Sequence, residues 1–165
     1  MSDDDVIQSV KGLNAYYNSH GEYDDSLRDV YVELDQEQPD HFWVEKRLLF
    51  ESEKDNPVAQ YALGCWYIEG KYHYKRDLKK GISLLHKSAD KRVPESCMLL
   101  AKCYEYGNGV IQDFRKAFEL YLYAALFGDD EACFEISRCY TVGLGVEIDL
   151  NIAEIWKERF EKITV

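Results

Sequence analysis

Several things are missing from these 165 residues. No stretch of about 18 apolar residues occurs, so no membrane-spanning helix is expected. The opening Met1-Ser2-Asp3-Asp4-Asp5 is acidic where a secretory leader would be basic and then apolar, which points to a cytoplasmic protein. No Gly-x-Ser-x-Gly elbow and no P-loop occurs. His20, His41, His73 and His86 are scattered, with no i, i+4 pairing for a metal. The cysteines are odd in number, at Cys65, Cys97, Cys103, Cys133 and Cys139, and none forms the short pairs of a zinc site. Cys97 and Cys103 stand six residues apart on one expected helix, as do Cys133 and Cys139. That spacing separates them by about 9 Å of helical rise, too far for a disulfide, so buried free thiols are expected. Asp129-Asp130-Glu131 looks like a carboxylate cluster but reads as the negative first turn of a helix. No catalytic set, metal site or cofactor is therefore implied, and the chain is not read as an enzyme.

What is present is a period. Ser96, Leu100, Ala101, Tyr104 and Gly107 stand at offsets 0, 4, 5, 8 and 11. Ala132, Ile136, Ser137, Tyr140 and Gly143 repeat those offsets, and so do Ala59, Leu63, Gly64, Tyr67 and Gly70. The starts at 59, 96 and 132 are 37 and 36 residues apart. The turns read Gly70-Lys71-Tyr72, Gly107-Asn108-Gly109 and Gly143-Leu144-Gly145. Each is followed by an aspartate (Asp77, Asp113, Asp149) with a small residue four places on (Gly81, Ala117, Ala153). Offsets 0, 4, 8 and 11 share one face of a helix. The glycine after each first helix can take positive φ and end it, and the aspartate can cap the next helix. Because the glycine loops follow helices and not strands, they are turns, not dinucleotide cradles. The pattern predicts an all-α fold, an α-α superhelix or solenoid of helical hairpins that bury their apolar faces by stacking.

These residues resemble the Sel1-like repeat, a relative of the tetratricopeptide repeat, over Asn56 to about Ile163. Leu63-Gly64 with Tyr67, Gly107-Asn108-Gly109-Val110, Gly143-Leu144-Gly145-Val146 and Ala124-Ala125 with Gly128 carry the resemblance. The first unit departs from it with one extra turn residue and with Gly81 where alanine is usual; the third lacks the closing Ala-Ala pair. The resemblance implies a right-handed solenoid used for protein–protein contacts rather than catalysis. Some secreted relatives staple each hairpin with a disulfide, but here the second helices lack cysteine.

The chain reads as a single solenoid domain, 1–165, with repeats at 56–93, 94–129 and 130–165. Residues 1–55 read as a divergent repeat or cap with an additional helix. Ser9, Leu13 and Tyr17 keep the 0, 4, 8 offsets of a first helix; Asp24 to Leu34 is a partner helix; His41 to Lys54 is the extra one. No low-complexity linker separates this segment from the repeats. It holds 15 acidic and 5 basic side chains, which accounts for nearly all of the net charge of −11. Lys71 to Arg92 is by contrast locally basic. An acidic end steers cationic partners and repels nucleic acid and anionic membranes, although the same charges also serve as a solvated face. The basic stretch carries no nucleic-acid motif.

In tetratricopeptide-like stacks the first helices line the concave face. With Leu-Gly-x-x-Tyr taken as core, the inward positions include Tyr61 and Ile68; Met98, Lys102, Glu105 and Tyr106; and Phe134 and Arg138. Tyr61, Met98 and Phe134 are one position in three units, and with Lys102 and Arg138 beside them they have the composition of an interface centre. Packing between repeats explains the same row equally well. The expected function is a non-catalytic, small inhibitor that binds a basic protein through its concave face. The family resemblance permits an immunity role against a basic toxin such as a nuclease. The alternative is a signalling or assembly adaptor that bridges several proteins.

Overall fold

The computed structural model describes residues 25–34, 36–70 and 75–163. Among the described residues every regular element is helical. A 3-10 turn, Asp25–Leu27, leads into α1 (Arg28–Leu34), followed by α2 (His41–Glu53). Three hairpins follow: α3 (Pro57–Glu69) with α4 (Leu78–Asp90), α5 (Pro94–Tyr106) with α6 (Phe114–Leu126), and α7 (Glu131–Val142) with α8 (Leu150–Ile163). Each helix packs on the next in sequence, so the hairpins pile up side by side as a stack of paired helices. The expected helix around Ser9, Leu13 and Tyr17 lies outside the described residues.

The turn chemistry repeats with the sequence. Gly70, Gly107 and Gly143 end their helices at φ of 69°, 70° and 77°. The capping aspartates receive N–H bonds on their carboxylates: Asp77 from Lys80 (3.0 Å), Asp113 from Lys116 (3.0 Å), Asp149 from Ile152 (3.0 Å). Their own backbone N–H groups close each hairpin by donating to the carbonyl of the repeat tyrosine: Asp77 to Tyr67 (2.8 Å), Asp113 to Tyr104 (2.9 Å), Asp149 to Tyr140 (3.0 Å). Where α5 has no capping side chain, Pro94 opens the helix at a position that needs no N–H donor.

Small residues set the distance between the two helices of a hairpin. A Cβ added at Gly81 would lie 2.6 Å from Ile68 Cγ1 and 2.9 Å from the Gly64 carbonyl oxygen. The departure at Gly81 thus has a cause: Ile68 fills the space an alanine methyl would need. In the next hairpins Ala101 and Ala117 are fully buried, and Ser137 Oγ donates to the Ala153 carbonyl at 2.7 Å. Of the repeat tyrosines Tyr67 is buried, and Tyr104 and Tyr140 are half-buried. Tyr67 is 7% exposed, with Lys80 Nζ donating to its hydroxyl at 2.8 Å. Lys116 lies 4.3 Å over the Tyr104 ring, and Phe118 meets Tyr140 edge-on at 5.4 Å.

Contacts between hairpins change along the stack. On α4 and α6 the positions that meet the next hairpin are Ile82, Leu85 and Ala89, then Phe118, Tyr121 and Ala125, all buried or partly buried. The equivalent positions on α8 are Glu154, Lys157 and Glu161, all exposed. At these three positions α8 thus carries charge where α4 and α6 carry apolar side chains. At the other end, Arg47 ties the first elements together: Nε donates to Asp29 (2.8 Å), and a second nitrogen donates to the Ser26 carbonyl (2.6 Å). The same guanidinium also holds the buried Glu51 carboxylate.

Two of the turn glycines test this packing. A Cβ on Gly145 (φ 72°) would fall 2.0 Å from the Phe114 carbonyl oxygen, whereas on Gly107 (φ 70°) the nearest atom is 3.5 Å away. Gly107→Ala should cost about 1–2 kcal/mol from backbone strain alone. Gly145→Ala should cost roughly 3 kcal/mol or more, because the third turn must also lift off α6. Urea denaturation of the two variants measures the difference.

Candidate functional site

The leading helices α3, α5 and α7 share one recess. It is a cavity of about 250 Å³ with a floor of Tyr61, Cys65, Met98 and Leu99 and a wall of Glu69, Glu95, Asp129 and Glu131, with Lys102 among them. Repeat geometry brings these residues together. Tyr61 and Met98 occupy one repeat position, and Cys65 and Lys102 another, so the residues of successive hairpins come side by side as the hairpins stack. Asp129 is placed by the start of α7, where its carboxylate accepts the Ala132 N–H at 3.0 Å.

The recess is electronegative, with four carboxylates facing one ammonium group. Burial pushes the Glu95 carboxyl up to about 7, and the nearby Asp129 charge adds to the rise. Its Oε2 is buried with no hydrogen-bond partner among the described residues. Burial also raises Asp129, reinforced by Glu131 and Asp130 and opposed by the Ala132 N–H and Lys102. A carboxylate that is poorly solvated and unpaired is stabilised by a cation brought to it. The floor thiol is inert: burial pushes Cys65 up to about 12. Among the described residues no group of three or more His, Cys, Asp or Glu side chains is placed to hold a metal ion.

The structure divides the eight residues expected to bind a partner. Tyr61, Met98 and Lys102 converge on the recess. Tyr61 and Met98 are each 6% exposed, however, so they form its packed floor rather than a projecting row. Phe134, their counterpart in the third hairpin, is 52% exposed and leans on Phe160 at 5.9 Å. Tyr106 projects from the end of α5, 66% exposed. Ile68 packs inside its own hairpin against Gly81.

Glu105 and Arg138 meet each other across the junction between the second and third hairpins, Glu105 buried and Arg138 partly so. Glu105 accepts from the Tyr121 hydroxyl (2.8 Å) and from Arg138 (2.7 Å), and Arg138 also donates to Glu135 (2.8 Å). Burial alone would lower the Arg138 guanidinium, but its bonds to Glu105 and Glu135 raise it overall. Burial and the bond to Glu105 raise the Tyr121 phenol. Glu105, 6% exposed, is thus a buried charge satisfied by the next repeat. The wall carboxylates were missed because Glu69 ends α3, whereas Glu95, Asp129 and Glu131 open α5 and α7. The clue was there, in Asp129-Asp130-Glu131, but a helix's first turn is a sufficient reason for acidic residues.

The raised Glu95 carboxyl makes stability depend on pH. The folded state binds more protons than the unfolded one between about 4.5, the usual value, and about 7, so stability falls as pH rises through that window. Glu95→Gln should therefore stabilise the protein at pH 8 by on the order of 1–3 kcal/mol and leave it nearly unchanged at pH 4. Paired thermal melts at the two pH values check this.

Comparison with known proteins places this geometry. The Sel1 repeat model matches residues 57–92, 94–129 and 130–159. No curated protein matches the chain. Among solved structures, a Sel1 repeat protein from Oxalobacter formigenes is 25% identical with a TM-score of 0.69, over 77% of this chain and 92% of that one. The protective antigen c5321 of uropathogenic Escherichia coli, which displays an SLR fold, is 22% identical with a TM-score of 0.79. That match covers 96% of this chain, which spans only 33% of the antigen. Helicobacter pylori cysteine-rich protein B is 19% identical with a TM-score of 0.59, over 79% of this chain and 93% of that one. Sel1 repeat proteins generally mediate protein–protein interaction, on a fold that is generally non-catalytic. With its matched repeats spanning more than half of its length and the hairpins closed as the repeat requires, the chain belongs to the Sel1 repeat family.

Proposed function

We propose that this protein is a non-catalytic inhibitor of the immunity type, acting in the cytoplasm, that captures a basic protein partner on the face of its leading helices. The observation that carries this reading is the recess itself: four carboxylates around an apolar floor, one of them with a buried, unpaired oxygen. A lysine or arginine side chain suits such a site, with its methylene stem over Tyr61 and Met98 and its charged head between Glu95 and Asp129. The acidic excess of residues 1–55 adds a long-range field of the same sign. A basic toxin such as a nuclease is a partner of the right charge. An adaptor that bridges several proteins is the second reading, favoured by the basic stretch around α4.

Isolation of the native complex tests both readings: one tight, salt-sensitive basic partner supports the inhibitor, and several partners at once support the adaptor. Substitution of the buried floor would confuse binding with folding, so the wall is the better target. Glu69 and Glu131 are exposed. Glu69→Lys with Glu131→Lys should weaken capture of the basic partner about tenfold or more at low salt, chiefly through slower association. The melting temperature should barely move. Surface plasmon resonance at two ionic strengths reads this, and undiminished capture would count against the recess.

A further inference from the structure

A second recess is built from the trailing helices. It is a groove of about 330 Å³ where α4, its C-terminal turn and α6 meet, with Leu120, Tyr123 and Phe127 on one wall and His86, Asp90 and Arg92 on the other. The Tyr123 and Phe127 rings stack 6.1 Å apart at 16°, and Tyr123 is 52% exposed.

Arg92 is out of place on backbone grounds. Three helices, α2, α4 and α6, end with the same pair of bonds. After α4, the Arg92 N–H donates to the Ala89 carbonyl (2.8 Å) and the Val93 N–H to the Ser88 carbonyl (3.4 Å). Asp55 makes the equivalent bond after α2, and Gly128 makes it after α6. The motif needs left-handed backbone at that residue, and φ is 66° at Asp55, 67° at Arg92 and 100° at Gly128. Glycine adopts this without strain, and aspartate tolerates it. Asp55 also has local reasons to be there: its carboxylate accepts from Gln60 Nε2 (2.9 Å) and pairs with Lys91 (2.6 Å). Arginine has no such tolerance. Its side chain is exposed at the groove, and no described residue pairs with its guanidinium. A strained backbone at a residue whose charged group pairs with nothing described points to a use for that group elsewhere.

We propose that Arg92 serves to bind a carboxylate, and that this groove docks an acidic, apolar segment of a protein partner. An apolar side chain of the segment lies on the Leu120–Tyr123–Phe127 wall while its neighbouring Asp or Glu forms a two-pronged pair with the guanidinium. Charge complementarity sets the sign. At the C-terminal end of α4, beside the groove, the exposed cations are Lys87, Lys91 and Arg92 against Asp90; Lys91 is paired with Asp55, which leaves Lys87 and Arg92 to set a local positive excess. The site is independent of the partner proposed above. Leu120 is half-buried and fixed by the core, so the apolar wall is preformed.

The test uses the full chain and a set of labelled ten-residue peptides, each with Glu or Asp beside Leu or Phe, together with the same peptides carrying Lys in place of the acid. Fluorescence anisotropy reads binding and thermal melts read stability. Acidic members should bind and their lysine counterparts should not. Arg92→Gly and Arg92→Asn should each raise the melting temperature, by about 2–4 °C for the glycine, because they relieve the backbone. Both should lose affinity about tenfold, and Arg92→Lys should keep only part of it, because an ammonium cannot form the two-pronged pair. The Glu69→Lys, Glu131→Lys protein should bind these peptides as the wild type does, which separates this groove from the other. The proposal is overturned if no acidic peptide outbinds its lysine counterpart, or if Arg92→Gly binds undiminished. It is equally overturned if that variant melts lower, since Arg92 would then be serving the fold.

Discussion

One backbone hydrogen bond recurs in all three hairpins, from the N–H of the capping aspartate to the carbonyl of the repeat tyrosine, and the rest of the architecture depends on it. It joins the last turn of one helix to the first turn of the next, and so fixes how far the second helix is rotated about the first. Once that rotation is set, Gly64 meets Gly81, Ala101 lies in register with Ala117, and Ser137 reaches Ala153. The aspartate carboxylate caps one helix while its backbone closes the turn, so a single residue does two structural jobs. The αL glycine at the end of the first helix makes the geometry possible, since the chain must reverse within a few residues.

Stacking then uses what each hairpin leaves uncovered. Apolar positions on α4 and α6 are buried by the next hairpin, and the same positions on α8 carry charge. Polar links cross the junctions as well: Ser96 with Ser88 at the first, and Tyr121 with Glu105 and Arg138 at the second, where each charge is met by a partner. A buried ionic network of this kind contributes little net stability but enforces one register, because a slip would leave Glu105 buried and alone.

The repeat also sorts charge. Acidic residues at the ends of the leading helices gather around one recess, and basic residues gather along α4. Local structure accounts for some of these charges, such as Asp129 at the start of α7 and Lys80 on Tyr67, but not for all of them. Glu95 and Asp129 are held above their ordinary range by burial, and Arg92 occupies a backbone conformation better suited to glycine. Groups kept in unfavourable states at open recesses are where a solenoid built for contact differs from one built only to stand.

The sequence by itself determined the hairpins. Offsets of 0, 4, 5, 8 and 11, the turn glycines and the aspartates are local features, and helix periodicity, αL backbone and capping act within a few residues. The site was legible only in part. Tyr61, Met98 and Lys102 were found because equivalent repeat positions face one way. Glu105 and Arg138 were found by the same rule, but their pairing with each other and with a tyrosine hydroxyl from α6 was not legible in the sequence. Phe134 shares its position with two buried residues and is itself half exposed, because no described hairpin packs on it as α5 packs on α3. Which of several equivalent side chains is floor, wall, glue or free surface depends on what the neighbouring hairpin brings within contact distance, and only the tertiary structure decides that.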